Sequence, residues 1–358
     1  MSKKVAIIGS VGIPAKYGGF ETLVEYLSKH LSSRVELTVY CSSKSYSVKV
    51  KKHNNARLRY IPLHANGVQS IPYDIFSIVH ALFIADTLLI LGVSGCCILP
   101  IVRLFTKKKI IVNIDGLEWK RNKWGKLTKG FLKYSEKLAV RYADAIIADN
   151  IEIQNHVKVT YGKDSVYIPY GGDHTKTVNF SKETLESYPF LKQEYAFKVC
   201  RIEPENNIEM ILEAFSRKNS LQLVIVGNWE NSEFGKTMRL KFDSLKHIHL
   251  LDPIYNQTTL NEIRCGCKVY IHGHSAGGTN PSLVEAMSLG LPVFAFAVKY
   301  NEETTAHQAL FFKDSAQLVG LLEKHNELDL PFYGQKMQEI AAKEYVWSVI
   351  AEKYLVHV

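Results

Sequence analysis

Two kinds of apolar pattern alternate along the chain. KVAIIG at 4–9 is short, unbroken and rich in β-branched residues, which predicts a strand buried on both faces. FETLVEYLSKHLSS at 20–33 places Leu23, Tyr26, Leu27 and Leu31 on one face and predicts an amphipathic helix. Further strands are predicted at 35–40, 56–61, 87–92, 109–114, 144–149 and 164–169. Strands spaced by helical segments in this way are βαβ units, and imply a doubly wound parallel sheet.

Near residue 170 the alternation lapses. Residues 170–194 are polar, without a sustained apolar period, and read as a crossing between domains. It resumes with strands at 195–200, 221–227, 247–251, 267–273 and 292–296, a helix at 208–215, and a helical tail from Gln335. A chain of 358 residues is long for one core and comfortable for two. The expected fold class is therefore α/β, with two Rossmann-like doubly wound domains, 1–170 and 171–334, facing a cleft. The C-terminal helix 335–358 is expected to pack back on the first domain. In such sheets ligands bind beyond the carboxyl ends of the strands, so the loops there matter most.

Composition narrows the partners. Lys and Arg exceed Asp and Glu by 44 to 35, a surplus of +9 that favours nucleic acid, phosphorylated small molecules or an acidic membrane face. The six cysteines form no CxxC pair, and Cys265 and Cys267 are a poor zinc pattern, so reduced, buried thiols are expected. The N-terminal apolar run is too short for a signal peptide. The most apolar region, 75–105, is interrupted by His80, Asp86, Gly92, Gly95 and Pro100. It reads as helix, strand, turn and helix; a membrane span needs about 20 unbroken apolar residues. An apolar helix resting on a membrane remains compatible with it.

Four loops carry candidate chemistry. HSAGGTNPSLVEAM at 274–287 leads from a strand into a helix. A helix start exposes unpaired N–H groups and a partial positive charge. Gly277 and Gly278 allow close backbone approach, Thr279 or Asn280 can cap, and Pro281 suits the first turn. Together they predict an anion site, with Glu285 one turn inside to accept hydrogen bonds from ribose hydroxyls. VCRIEPENN at 199–207 follows a predicted strand with Arg201, a residue type that can contact phosphate through two N–H groups, and Asn206, a neutral donor; a surface ion pair of Arg201 with Glu203 or Glu205 is the plainer alternative. GSVGIPAKYGGFE at 9–21 lacks the spacing of a dinucleotide fingerprint, but Gly18 and Gly19 open a helix, a second anion-friendly terminus or simply a turn. NIDGLEWKRNKWG at 113–125 puts Asp115 at a strand end. After it Trp119, Lys120, Arg121, Lys123, Trp124 and Lys126 mix basic and aromatic character, which suits nucleic acid, a lipid-diphosphate interface or a solvated face.

GGTNPSLVEAMSLGLPVFAF at 277–296 resembles the signature helix of glycosyltransferase family 4, whose members have the two-domain GT-B fold. There two glutamates separated by seven residues hold the nucleotide-sugar. Glu285 matches the second; the first falls on Gly277, a departure that fits a deoxy sugar. Arg201 matches the arginine of the family's diphosphate clamp, while its lysine position is Asn206. With GIPAKYGGFET at 12–22 and NIDGLEWKR at 113–121, the motifs together resemble bacterial rhamnosyltransferases of cell-surface polysaccharide assembly.

The resemblance implies transfer of L-rhamnose from dTDP-rhamnose, or alternatively of a sugar from a UDP-hexose or UDP-N-acetylhexosamine. The acceptor would be an undecaprenyl-diphosphate-linked sugar at the inner face of the bacterial cell membrane, an acidic surface that the protein would join peripherally. A retaining, metal-independent reaction without a cofactor is expected, since no Asp-x-Asp donor motif is present. Asp115 would position or deprotonate the acceptor hydroxyl, and Gly18 and Gly19 would approach the diphosphate. A nucleotide-sugar epimerase and a basic nucleic-acid-binding protein are the readings from other classes; nucleic acid is not the expected partner.

Overall fold

The computed structural model describes residues 2–16, 18–114, 116–120, 124–218 and 220–358. They form two compact units, Met1–Tyr170 with Trp347–Val358, and Gly171–Val346.

The first unit contains, in order, β1 (Lys4–Ile8), α1 (Gly19–Leu31), β2 (Glu36–Ser42), β3 (Lys52–His53), β4 (Ala56–Ile61), α2 (Ser70–Ile84), β5 (Thr87–Leu91), α3 (Leu99–Phe105), β6 (Lys109–Ile114), α4 (Lys126–Tyr142), β7 (Ala145–Ala148), α5 (Ile151–Tyr161) and β8 (Val166–Tyr167). The strand order is β3-β4-β2-β1-β5-β6-β7-β8, parallel except for β3 against β4. Central β1 and β5 are buried on both faces, as their unbroken apolar runs require. The predicted stripe of α1 buries Leu23, Leu27 and Leu31. Tyr26, at its margin, stacks on Trp347 with ring centroids 4.9 Å apart.

The second unit continues with α6 (Lys182–Ser187), β9 (Tyr195–Val199), α7 (Ile208–Arg217), β10 (Gln222–Val226), α8 (Glu233–Phe242), β11 (Ile248–Leu251), α9 (Gln257–Cys265), β12 (Val269–His272), α10 (Pro281–Ser288), β13 (Val293–Phe296), α11 (Lys299–Thr304), β14 (Leu310–Phe312), α12 (Ser315–Glu323) and α13 (Leu330–Glu344). Its sheet is wholly parallel, in the order β11-β10-β9-β12-β13-β14. One face packs α7, α8 and α12 through Ile211, Phe215, Met238 and Leu318 into a core with Leu223, Ile225 and Ile271. The polar stretch after residue 170 belongs to this unit. The Ser181 side chain caps α6 and donates to Glu262 at 2.9 Å, and Phe190 stacks on His249 at 3.7 Å.

The tail departs from the single helix expected over 335–358. It is two helices, α13 in the second unit and α14 (Trp347–His357) in the first. The break is at Tyr345, whose backbone leaves the helical region (φ −117°, ψ 47°). Its buried hydroxyl donates to the Thr304 carbonyl at 2.7 Å, and its own carbonyl accepts from Gly172 N–H at 2.9 Å. These bonds outweigh helix continuation. Only α14 packs on the first unit, where Tyr354 accepts from Asn113 Nδ2 at 2.6 Å.

Candidate active site

In the second unit β9 and β12 lie side by side at the point where the strand order reverses. Chain from two such strands diverges to opposite sides of the sheet, leaving a crevice at their carboxyl ends. The loop after β9 carries Arg201 and Asn206; the loop after β12 carries His274, Gly277, Gly278, Thr279 and Asn280. The two are joined: Ser275 N–H and Oγ both donate to the Glu205 carbonyl at 2.9 Å.

Asn280 is the N-cap of α10. Its Oδ1 accepts from Ser282 N–H at 3.0 Å, and Pro281 occupies the first turn. Gly277 has φ +111°, a conformation that strains any L side chain. Gly277, Gly278 and Thr279 are buried, whereas Asn280 is half-buried. The sequence thus places its glycines where the backbone turns most sharply into a helix start.

Glu285, one turn into α10, does not stand alone. Arg264 of α9, almost fully buried, donates from Nη2 to Oε2 at 2.7 Å, and His174 Nε2 lies 3.2 Å from Oε1. Burial pushes the Glu285 carboxyl up, but Arg264 and then His174 pull it net below the ordinary range. It is therefore an ionised acceptor whose charge is already balanced, and a carboxylate has further lone pairs to offer a ligand. Neither partner was legible in the sequence: His174 lies in the polar crossing and Arg264 on a helix with no motif.

Arg201 is exposed, and among the described residues no carboxylate reaches its guanidinium; the alternative pairing with Glu203 or Glu205 does not form. Asn206 is buried. Its Nδ2 donates to the Arg201 carbonyl at 2.8 Å, and its Oδ1 is 3.1 Å from His274 Nδ1. Two further basic groups are buried near these strand ends. Burial holds the Lys198 ammonium below its ordinary range, and burial, reinforced by Lys198 and His274, keeps His272 neutral well below its own. Lys198 and His272 sit inside apolar runs, which disguised them as strand residues.

The first-unit residues scatter more widely. Gly18 (φ +131°) is the N-cap of α1 and Gly19 its first residue. The Glu21 carboxylate folds back on this helix start, accepting from Val11 N–H at 2.7 Å, and a Cβ at Gly18 would lie 1.9 Å from it. Gly18 and Gly19 thus share this helix start with a carboxylate from its first turn. Asp115, Arg121 and Lys123 lie outside the described residues. Trp119 and Trp124 are half-buried, their indole N–H groups donating to Glu136 at 2.9 Å and Glu118 at 3.2 Å. Lys120 is exposed with its ammonium 5.6 Å from the Trp119 ring, and exposed Lys126 opens α4. Among the described residues no group of three or more His, Cys, Asp or Glu is placed to hold a metal ion.

Helix Gly67–Ile84 is long and apolar enough to cross a membrane. One face of it is nonetheless built into the unit: Tyr73, Ser77, Ile78 and Ala81 are buried, and Tyr73 donates to the Ser10 carbonyl at 2.9 Å.

Comparison with known proteins follows the same division. Residues 2–173 match a domain of unknown function, DUF1972, and residues 181–329 match the family described as glycosyl transferases group 1. None of the curated proteins compared matches the sequence. Among solved structures, sucrose-phosphate synthase from Thermosynechococcus elongatus is 14% identical, with 99% of this chain and 98% of that one covered and a TM-score of 0.81. HepE of Anabaena, solved with UDP-glucose, is 13% identical with both chains fully covered and a TM-score of 0.75. A putative UDP-N-acetylglucosamine 2-epimerase from Listeria monocytogenes is 15% identical, covers 99% of this chain and 94% of its own, and has a TM-score of 0.63. The chain thus has the GT-B fold of these solved structures, and residues 181–329 of its second unit match the glycosyl transferases group 1 family.

Proposed function

We propose that the protein transfers L-rhamnose from dTDP-rhamnose to a lipid-diphosphate-linked saccharide at the cytoplasmic face of a bacterial membrane, in surface polysaccharide synthesis. The observation that carries the donor half is the convergence, at the β9/β12 crevice, of an exposed unpaired Arg201, the Gly277–Asn280 loop opening α10, and the charge-balanced Glu285. In this reading Arg201 meets the diphosphate, the loop N–H groups and the α10 N-terminus add to it, and Glu285 accepts from the ribose hydroxyls.

As the bond from the anomeric carbon to the β-phosphate oxygen breaks, its electron pair goes to the diphosphate. Preorganised donors stabilise the charge where it develops. The acceptor hydroxyl attacks that carbon and its proton passes to the departing phosphate, giving retention of configuration, with Asp115 orienting the hydroxyl. Arg201 supplies the countercharge, so the reaction needs no divalent ion. HepE was solved with UDP-glucose, which supports a UDP-hexose as the second donor reading.

The membrane half rests on α2 and α3. Phe83 and Phe105 are each 81% exposed and Leu104 is 79% exposed, beside exposed Lys107. Apolar residues that enter a bilayer margin, flanked by cations, suit an anionic lipid surface.

The test is product mass from the purified protein, a short-chain lipid-diphosphate sugar and a panel of dTDP-rhamnose, UDP-glucose, UDP-N-acetylglucosamine and GDP-mannose, with and without chelator. Deoxyhexose added only from dTDP-rhamnose, chelator or not, supports the proposal. Transfer from a UDP-sugar replaces the donor; sugar-nucleotide isomerised without an acceptor makes the protein an epimerase and ends it.

A further inference from the structure

Trp119, in the turn that follows β6, is the meeting point of two sets of contacts in the first unit. The first set fixes its ring. The indole N–H donates to Glu136 Oε2 at 2.9 Å. Glu136, on α4, is buried, and its Oε1 accepts from Tyr161 at 2.7 Å and lies 2.8 Å from His156 Nε2. Beside it Ser135 Oγ donates to the Val93 carbonyl just past β5, which ties α4 to the carboxyl end of the sheet. The second set is two ammonium groups over the same ring, Lys120 Nζ 5.6 Å and Lys133 Nζ 5.2 Å from its centroid. Both lysines are exposed, and among the described residues neither has a carboxylate within ion-pair distance. Glu136 does not serve them, because both its oxygens are taken by other groups. An aromatic face attracts an ammonium but leaves N–H donors free to bond elsewhere. Two such cations held on one rigid indole without an acid of their own fit an anion from outside. The rest of α4 selects among anions. Its basic residues are Lys126, Lys129, Lys133, Lys137 and Arg141, and its one acid is the buried Glu136. On the same helix Leu127 is 91% exposed and Tyr134, seven residues on and so on the same side, is 58% exposed. A wholly hydrophilic anion leaves those side chains in water; the phosphate ester of a long apolar alcohol covers them.

We infer, on the reading that the acceptor is a lipid-diphosphate-linked saccharide, that Lys120 and Lys133, held on the Trp119 ring, bind the diphosphate of that acceptor, and that Leu127 and Tyr134 offer apolar surface to its hydrocarbon chain. The ammonium groups make charge-assisted hydrogen bonds to phosphate oxygens. Glu136 is the positioning residue: it touches no ligand and sets the indole on which the lysines lie. This site recognises one phosphorylated lipid, and is separate from the apolar residues of α2 and α3 that meet a bilayer surface.

Calorimetric titration of the full-length protein with farnesyl diphosphate tests this, with inorganic pyrophosphate and phosphatidylglycerol vesicles as separate arms. Farnesyl diphosphate should bind, and more tightly than pyrophosphate. Lys120→Gln and Lys133→Gln should each weaken it about fivefold, and together about twentyfold, the worth of charge-assisted hydrogen bonds at an exposed site. The melting temperature and the affinity for dTDP or UDP should not change. Trp119→Leu should weaken the ester as the lysine changes do, and Trp119→Phe, which keeps a ring, should weaken it less. No binding of farnesyl diphosphate, or a double lysine variant within about twofold of wild type, overturns the inference. Pyrophosphate bound as tightly as the ester makes the ligand a free phosphate compound and overturns the lipid assignment. A double variant that loses the vesicles and keeps farnesyl diphosphate makes the lysines part of a general anionic-lipid surface, and overturns it too. If the double variant loses farnesyl diphosphate while wild-type protein transfers no sugar from any donor, this site stands and the transfer reading falls. If wild-type protein glycosylates the lipid-linked acceptor and the double variant does so with the same acceptor KM, this inference alone falls.

Discussion

Replacing Arg264 by methionine strands the Glu285 carboxylate. The Glu285 side chain is 15% exposed and that of Arg264 3%, at 2.7 Å. Removing one member of a buried pair costs about 3–5 kcal/mol, because the other charge is left uncompensated. His174 remains at 3.2 Å, so the lower end, about 3 kcal/mol, applies at pH 7. In the native protein the Glu285 carboxyl titrates below its ordinary range, so its contribution is present above the unfolded value and is lost only as the pH falls through the lower folded one. In Arg264→Met burial prevails and the folded value rises above the unfolded one. The variant then recovers stability as acid neutralises the group, by about 1.4 kcal/mol per pH unit. The deficit of about 3 kcal/mol at pH 7 should shrink by up to about 2.8 kcal/mol on going to pH 5. Urea unfolding of the second unit can be followed through Trp229, the one tryptophan between residues 171 and 346, in a W119F/W124F/W347F background. A deficit equal at both pH values, or below about 1 kcal/mol at pH 7, would refute the argument.

Three other outcomes follow from the same structure. Arg201→Ala should lower kcat/KM at least about a hundredfold while leaving the melting temperature unchanged, since the side chain is exposed and makes no hydrogen bond or ion pair among the described residues; unaltered turnover in the transfer assay removes it from the site. Lys198→Met should stabilise the second unit by about 1–3 kcal/mol at neutral pH, because the buried ammonium has a lowered folded pKa and destabilises wherever the unfolded chain is protonated. That gain should vanish as the pH rises past the unfolded lysine value near about 10.4, which unfolding curves at pH 7 and 10.5 will show. Replacing Phe83, Leu104 and Phe105 together by Asp should abolish flotation with phosphatidylglycerol vesicles and leave donor binding intact; undiminished flotation excludes this face.

What could be read beforehand was what depends on local pattern. The apolar runs of β1 and β5 gave themselves away because a strand buried on both faces has few polar positions. The start of α10 was visible because turn, cap and N1 proline are chemistries of adjacent residues. The pairing of Glu285 with Arg264 and His174 was not, because its members are 21 and 111 residues apart and meet only through the sheet. Nor was the break at Tyr345, where the apolar period runs on from Met337 through Trp347 with no glycine or proline to interrupt it. The hydrogen bonds that stop the helix come from Gly172 and to Thr304, distant in sequence. Glu21 was also not legible as a neighbour of the glycine pair: its carboxylate turns back beside Gly18 and accepts from Val11 N–H.

The central claim is that the nucleotide end of the donor is held by the second unit at the β9/β12 crevice. Hydrogen–deuterium exchange of the full chain, with and without saturating dTDP or UDP, tests it directly. The account predicts slowed exchange at 201–207 and 274–285, and little change elsewhere in that unit. Bound nucleotide that protects the loop at 9–19 and leaves 201–207 and 274–285 unchanged would contradict it.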